Sequence, residues 1–453
     1  MNIKNIYLAL ITGLITGWLL FGCSSVRTAR QVQDTSNIPA GERTVTMAEV
    51  GLTKDTQLTL ERALEIALLY HPSIVQARQN LVVAEKQFSD AIAGYLPSVN
   101  ASAGYKQGTN NISTASASNK SDGSYSASTS LNQLIYDFGK TPAAIRQAYE
   151  NKLSTESLLK STDNNVVYNT RQSYYDLIKQ QALVNVADDT VHQFQVHLEQ
   201  TRKLVEVGRR IKYDITKAEV DLSNARINMV NARNALTTAR AVLNNTLGLA
   251  EDPGYTVQEP PSEEFKNHSF EELIKIARQN QPELVAQLAQ ERAASAAVDQ
   301  AIADLYPSLS LNGSYSWSGS NFPLVRNWSL GSVLGWNIFS GFQNTNQIDK
   351  AVANLRITRT TRAELEQRIY LDLTRAVAQL ESAGERLSLA QLTVQQAEEN
   401  FNLVNKRYKI GKASSIELTD AQVALMNARV SHIQSMFDYQ TAVALIKKTI
   451  GGK

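Results

Sequence analysis

The sequence predicts an α+β membrane protein: a long α-helical coiled-coil barrel continuous with a transmembrane β-barrel, four strands per chain, closed only as a trimer. Three observations carry this. The mature chain is an internal duplication. Each copy holds a helical run of about 69 residues, roughly 100 Å long at 1.5 Å per residue. Each copy also holds two stretches of strand-like alternation. Four strands cannot close a membrane barrel, whose smallest forms have about eight. Open edges are prohibited in lipid, where every backbone N–H and C=O must pair. If the hairpins lie in a membrane, copies must therefore assemble, and three copies supply twelve strands, enough to close.

Composition agrees with long regular elements. The 453 residues include 22 glycines and 10 prolines, about 7% together against the usual ~12%. A formal net charge of +2 supplies no basic face of the kind that binds nucleic acid, so no nucleic-acid partner is expected. One cysteine excludes an intrachain disulfide, and five scattered histidines argue against a Cys/His metal cage. His192 and His197 are five apart and do not share a helical face as i,i+4 pairs do. With no His/Asp/Ser constellation, phosphate loop or metal cluster, neither catalysis nor a metal or cofactor is expected.

Taken in order, residues 1–22 read as a signal peptide: Lys4 supplies the positive start and Ile6 to Phe21 the apolar run. Leu20-Phe21-Gly22-Cys23 resembles the bacterial lipobox, whose cysteine is acylated and becomes the new N-terminus; the alternative is an ordinary cleaved signal. Ser24 stands where an inner-membrane retention signal would place Asp, which implies sorting to the outer membrane. Residues 23–57 form a lipidated leader without long periodicity.

The first repeat covers 58–248 and the second 269–453, joined by a linker at 249–268 that holds Pro253, Pro260 and Pro261. His71-Pro72 matches Gln281-Pro282, and Leu96-Pro97-Ser98 matches Tyr306-Pro307-Ser308, both at an offset of 210. The offset then becomes 203: Val207-Gly208 matches Ile410-Gly411, and Asn224-Ala225-Arg226 matches Asn427-Ala428-Arg429. One length change between two constant registers means a duplication with a shorter loop in the second copy. Alternation at Val99, Ala101, Ala103 and Tyr105, and at Leu309, Leu311, Gly313 and Tyr315, predicts β-hairpins over 96–136 and 307–339. Long helices follow over 139–207 and 341–410, then return helices over 211–248 and 414–450. In the first return helix Ile215, Ala218, Leu222, Ala225, Met229, Ala232, Leu236, Ala239 and Leu243 alternate spacings of three and four, a heptad seam. The competing reading is a non-channel periplasmic coiled-coil structural lipoprotein with small soluble hairpins.

This duplicated layout, with Tyr408-Lys409-Ile410-Gly411 and Ile416-Glu417-Leu418-Thr419-Asp420-Ala421 at the second helix-turn-helix, resembles the TolC family of outer-membrane efflux proteins. The resemblance spans about Leu58 to Gly451. It implies a homotrimeric channel-tunnel in the outer membrane, lipid-anchored, with the helical barrel in the periplasm. It also implies a periplasmic adaptor and an inner-membrane pump of the RND or ABC type as partners. The cargo would be drugs, small toxic molecules or secreted proteins. By the same resemblance, Asp214, Tyr408, Glu417 and Asp420 are aperture residues. The tips Val207, Gly208, Arg209, Ile410, Gly411 and Lys412 are expected to meet the adaptor. Glu417 and Asp420, three apart, share a helical face, so three chains would ring the opening with six carboxylates. The bland alternative is two solvated acids favoured by the helix dipole. Ala413 departs from the family, standing where relatives place an arginine that bridges to the neighbouring hairpin.

Overall fold

The computed structural model describes residues 43, 45–52, 56–109, 121–249, 254–261, 265 and 268–452. The signal peptide, Cys23 and most of the first hairpin loop lie outside the described residues. In chain order the elements are α1 (Met47–Val50), β1 (Gln57–Leu58), α2 (Leu60–Tyr70), α3 (Pro72–Ala93), β2 (Ser98–Thr109), β3 (Ser121–Tyr136), α4 (Lys140–Glu206) and α5 (Lys212–Thr246). Then come β4 (Thr256–Val257), α6 (Phe270–Asn280), α7 (Pro282–Ala303), β5 (Ser308–Gly319), β6 (Val325–Gly335), α8 (Gln343–Lys409) and α9 (Ser415–Thr449).

The duplication is metric. Helices α2 and α6 have 11 residues each, α3 and α7 22, α4 and α8 67, α5 and α9 35. Local causes repeat as well. His71 and Gln281 each precede a helix-initiating proline and are extended, with ψ of 125° and 114°. Proline's Cδ forbids the residue before it the helical conformation, so the chain must break there and restart. Thr59 caps α2 through the Arg62 amide, and Ser269 with Glu272 forms a capping box on α6.

The chain divides into two compact units. One gathers Met1–Val75, Asn169–Ser262 and Thr393–Phe437; the other gathers Gln76–Tyr168, Glu263–Leu392 and Asp438–Lys453. In the first, β1 and β4 pair in parallel, Leu58 with Val257. Tyr174 of α4 is fully buried against them, its hydroxyl 2.8 Å from the Leu58 carbonyl and 2.6 Å from that of Gln258. Burial pushes its pKa up to about 12, so the hydroxyl keeps its proton for these carbonyls. Leu243, Leu247 and Tyr255 complete that core, and Tyr255 donates to Asn244 at 2.7 Å.

The second unit holds a four-stranded antiparallel sheet in the order β2-β3-β5-β6. Each hairpin pairs internally, and β3 joins β5, Leu131 facing Gly313. Outer strands β2 and β6 therefore each leave an edge open within the sheet. The sheet's two faces differ sharply. One carries Val99, Ala103, Leu131, Leu309, Leu330 and Leu334; the other is Ser, Asn and Gly through its central rows. Aromatic pairs mark both ends. Tyr105–Tyr125 and Tyr315–Trp317, with centroids 4.9 and 4.6 Å apart, stand at one end; Tyr136–Phe138 and Phe339–Phe342, at 4.8 and 5.7 Å, stand at the other.

Strand β6 ends at Gly335, short of the Phe339 that alternation suggests. The Trp336 indole donates to the Leu305 carbonyl at 3.0 Å and so diverts the chain from the strand line towards the next helix. Both strand-to-helix turns use two successive left-handed residues: Phe138 and Gly139 (φ 51° and 100°), then Gly341 and Phe342 (φ 60° and 65°). At the offset of 203 the copies place the glycine and the phenylalanine in opposite order.

Candidate functional site: the helix-turn-helix tips

Each long helix ends at a glycine. Gly208 and Gly411 have φ of 74° and 80°. The Arg209 amide donates to Leu204 O and the Gly208 amide to Val205 O, at 2.8 and 2.9 Å; Lys412 to Arg407 and Gly411 to Tyr408 repeat the pair at 2.8 and 3.0 Å. These are Schellman caps, which satisfy carbonyls the helix cannot. Nothing lies within 4 Å of a Cβ built on either glycine, so the backbone angle alone demands it. Val207 and Ile410, 68% and 69% exposed, flank these caps as apolar residues in solvent. Lys412 is exposed too, and its carbonyl accepts from Arg407 at 3.1 Å.

The return helix α9 starts with a second device. The Glu417 carboxylate accepts from the Ser414 amide, and the Ser414 hydroxyl accepts from the Glu417 amide, both at 3.1 Å. This is a reciprocal capping box. Arg407 adds an ion pair at 3.5 Å. The Ser414 amide first, with Arg407 contributing, holds the Glu417 carboxyl below the usual carboxylate range. Glu417 and Asp420 are both exposed, whereas Asp214 is half-buried in the first turn of α5. Tyr408 stands apart from these acids. It is 1% exposed and clusters with Ala413 and Leu418, against Leu204, Phe401 and Val404.

Under Tyr408 lies a polar chain that links the two hairpins. The Thr201 hydroxyl donates to the His197 carbonyl at 2.8 Å. Having only one proton, it accepts from the Tyr408 hydroxyl, 3.1 Å away. The His197 ring lies 5.3 Å from the Tyr408 ring, and its Nε2 is 3.2 Å from the Ser415 hydroxyl. His197 is 2% exposed and its Nδ1 has no hydrogen-bond partner. Arg210 closes the arrangement from above: its guanidinium sits 5.0 Å from the Tyr408 ring centre and donates to the Ala413 carbonyl at 2.7 Å. A cross-hairpin arginine link thus exists although residue 413 is alanine; it originates on the first hairpin. Thr419 donates to Asp221, itself paired with Lys217 at 3.1 Å, a second bridge between α9 and α5.

Sequence reasoning missed His197, Thr201 and Ser415, which carry no local signal because the contacts that join them across the hairpins, Thr201 to Tyr408 and His197 to Ser415, span more than 200 residues. Ser414 was discoverable, since Ser-x-x-Glu before an apolar run is a capping-box signature. Among the described residues no group of three metal-ligating side chains forms, and no helix is long and apolar enough to cross a membrane.

Paired long and return helices, a four-stranded sheet with open edges and one apolar face, and capped helix-turn-helix tips define the protomer of an outer-membrane channel-tunnel. The chain belongs to the outer membrane efflux protein family, whose model matches residues 63–249 and 273–452. Among curated relatives, the probable efflux pump outer membrane protein TtgC of Pseudomonas putida is 22% identical over 468 residues, covering 98% of this chain and 95% of that protein. Among solved structures, the Campylobacter jejuni CmeC outer membrane channel superimposes with a TM-score of 0.79 at 18% identity, over 87% of this chain and 85% of that one. The outer membrane protein VceC of Vibrio cholerae gives 0.78 at 16% identity, over 87% and 96%. At these identities the structural likeness speaks for the fold. The chain is an outer-membrane efflux protein, and the non-channel lipoprotein reading is not favoured.

Proposed function

We propose that three copies of this chain close a twelve-stranded barrel in the outer membrane, anchored by acylated Cys23, above a periplasmic helical tunnel. Each protomer is one duplicated unit: repeats 58–248 and 269–453, a linker at 249–268, a signal peptide at 1–22 and a leader at 23–57. The observation that carries this reading is the open-edged sheet with one apolar face. In lipid such edges must pair with another copy, and the aromatic clusters at both strand ends match the girdles of membrane barrels.

The tips serve as the gate. Glu417 and Asp420, repeated threefold, ring the entrance with carboxylates, Asp214 adds charge from the other hairpin, and Tyr408 with Arg210 holds the hairpins together. Val207, Gly208, Arg209, Ile410, Gly411 and Lys412 present the surface that a periplasmic adaptor grips, apolar at 207 and 410 and basic at 209 and 412. An inner-membrane pump, of the RND or ABC type, drives cargo through that adaptor. The relatives named for efflux pumps favour drugs and small toxic molecules over secreted proteins. The chain itself performs no chemistry on its cargo.

Planar-bilayer recording tests this. Reconstituted protein should give single channels that prefer cations, and Glu417→Gln with Asp420→Asn should lower that preference. Cells lacking their own efflux channel should regain drug resistance with the wild-type chain. Inert protein would sink the channel; unchanged selectivity would sink the ring.

A further inference from the structure

The non-apolar face of the sheet has a pattern that the efflux role does not require. Reading across the strands by register, one row is Asn100, Ser130, Ser314 and Ser329; the next is Ser102, Ser128, Ser316 and Asn327. The rows on either side are Ser98, Asn132, Asn312, Gly331 and Gly104, Ser126, Ser318, Val325. Four consecutive rows therefore hold no ionisable side chain and one apolar one. The first ionisable residue is Lys106, one row further out, beside Ser124. Hydroxyls bond laterally within rows: Ser102 to Ser128 at 2.8 Å and Ser314 to Ser329 at 2.9 Å.

Membrane barrels turn their apolar face to lipid and their polar face inward. Resting on the channel reading above, this places the serine rows in the lumen. A threefold ring then carries nine hydroxyls and three amides at each of the two central levels. A serine hydroxyl rotates to donate or accept as a solute requires, and an amide does both at once. Neither attracts one sign of charge, and neither offers a flat apolar surface on which an amphiphile would stick.

We propose that the strand-lined segment is a charge-neutral hydroxyl and amide conduit, which passes cations, anions and uncharged polar molecules alike. Selection by charge is then confined to the helical part and its tips. The cargo class that fits is mixed in charge, of a size set by the bore, and hydrogen-bonding.

Cysteine labelling tests this on the full chain in intact cells. Ser128→Cys and, independently, Ser314→Cys sit on the serine face; Ala127→Cys, its neighbour in sequence, sits on the apolar face. Anionic and cationic thiosulfonates of similar size are added from outside, and each rate is divided by that reagent's rate with a free thiol. The wild-type chain serves as the control for Cys23. The expected result is reaction at 128 and 314 with both reagents, with corrected rates within about threefold of each other, and none at 127. A charged lumen would concentrate one reagent by about tenfold or more, and that ratio would overturn the proposal. Reaction at 127 with 128 and 314 protected would overturn it too, by reversing the faces. Conductance measured on the same variants keeps the two readings apart: labelled but non-conducting protein contradicts the channel, whereas conducting protein with sign-selective labelling contradicts only the neutral wall.

Discussion

His197 is buried at the tips, 2% exposed, with its Nδ1 unpartnered. Three elements bury it: α4, which carries it; α5, which brings Asp214, Lys217 and Asp221 towards it; and the start of α9, which brings Ser415. Tyr408 packs near its ring, and Arg210, seated over Tyr408, adds a nearby positive charge. Burial lowers its pKa below the usual 6.5, since the nearby charges of both signs partly offset one another. A protonated ring would carry an Nδ1–H with no acceptor and would face the positive end of α9. Because the packed state resists the proton that the loosened state accepts, the stabilisation is complete above pH 6.5 and is lost as pH falls below it. The packing of the two hairpins at the tips should therefore loosen in acid by up to about tenfold per pH unit. Trypsin cleavage at Arg209 and Arg210, normalised to a reference peptide at each pH, measures this. His197→Gln should flatten the dependence; an unchanged profile would assign it to another group. Sequence inspection sees His197 only as one of two histidines on different faces. Its depth depends on partners 13 to 218 residues away, from Arg210 to Ser415, which no local pattern encodes. Tyr408 was legible as a tip residue but not as a buried one, for the same reason.

At the scale of elements, four glycines end four helices in the left-handed conformation: Gly208, Gly248, Gly411 and Gly451. They are not equivalent. An alanine at 411 meets open space and suffers only the backbone cost, about 1–2 kcal/mol. At 451 its Cβ would also lie 2.5 Å from the Asn280 carbonyl oxygen, where backbone must move. Gly451→Ala should cost on the order of 3 kcal/mol or more, well beyond Gly411→Ala. Thermal unfolding of the solubilised protein decides, and equal losses would contradict the crowding argument. Helices were the most legible elements, because proline before and glycine after are backbone requirements written in one residue each. The seam was legible too: Ala218, Leu222, Ala225, Ala239 and Leu243 are buried. The end of β6 was not, since it is set by the Trp336 hydrogen bond to Leu305, a contact across 31 residues.

At the scale of the molecule, the order β2-β3-β5-β6 matters most. Alternation predicts four strands, yet the junction of β3 with β5 joins segments separated by the four helices α4 to α7, which periodicity cannot see. That junction makes one sheet of two hairpins and leaves one open edge on β2 and one on β6. Trimer closure requires β6 of one protomer to pair with β2 of the next. Disulfide crosslinking between cysteines scanned along β2 and β6 tests this directly. The expected result is a ladder of dimer and trimer with nothing larger. Monomers crosslinked only within themselves, or a ladder continuing past three, would contradict it.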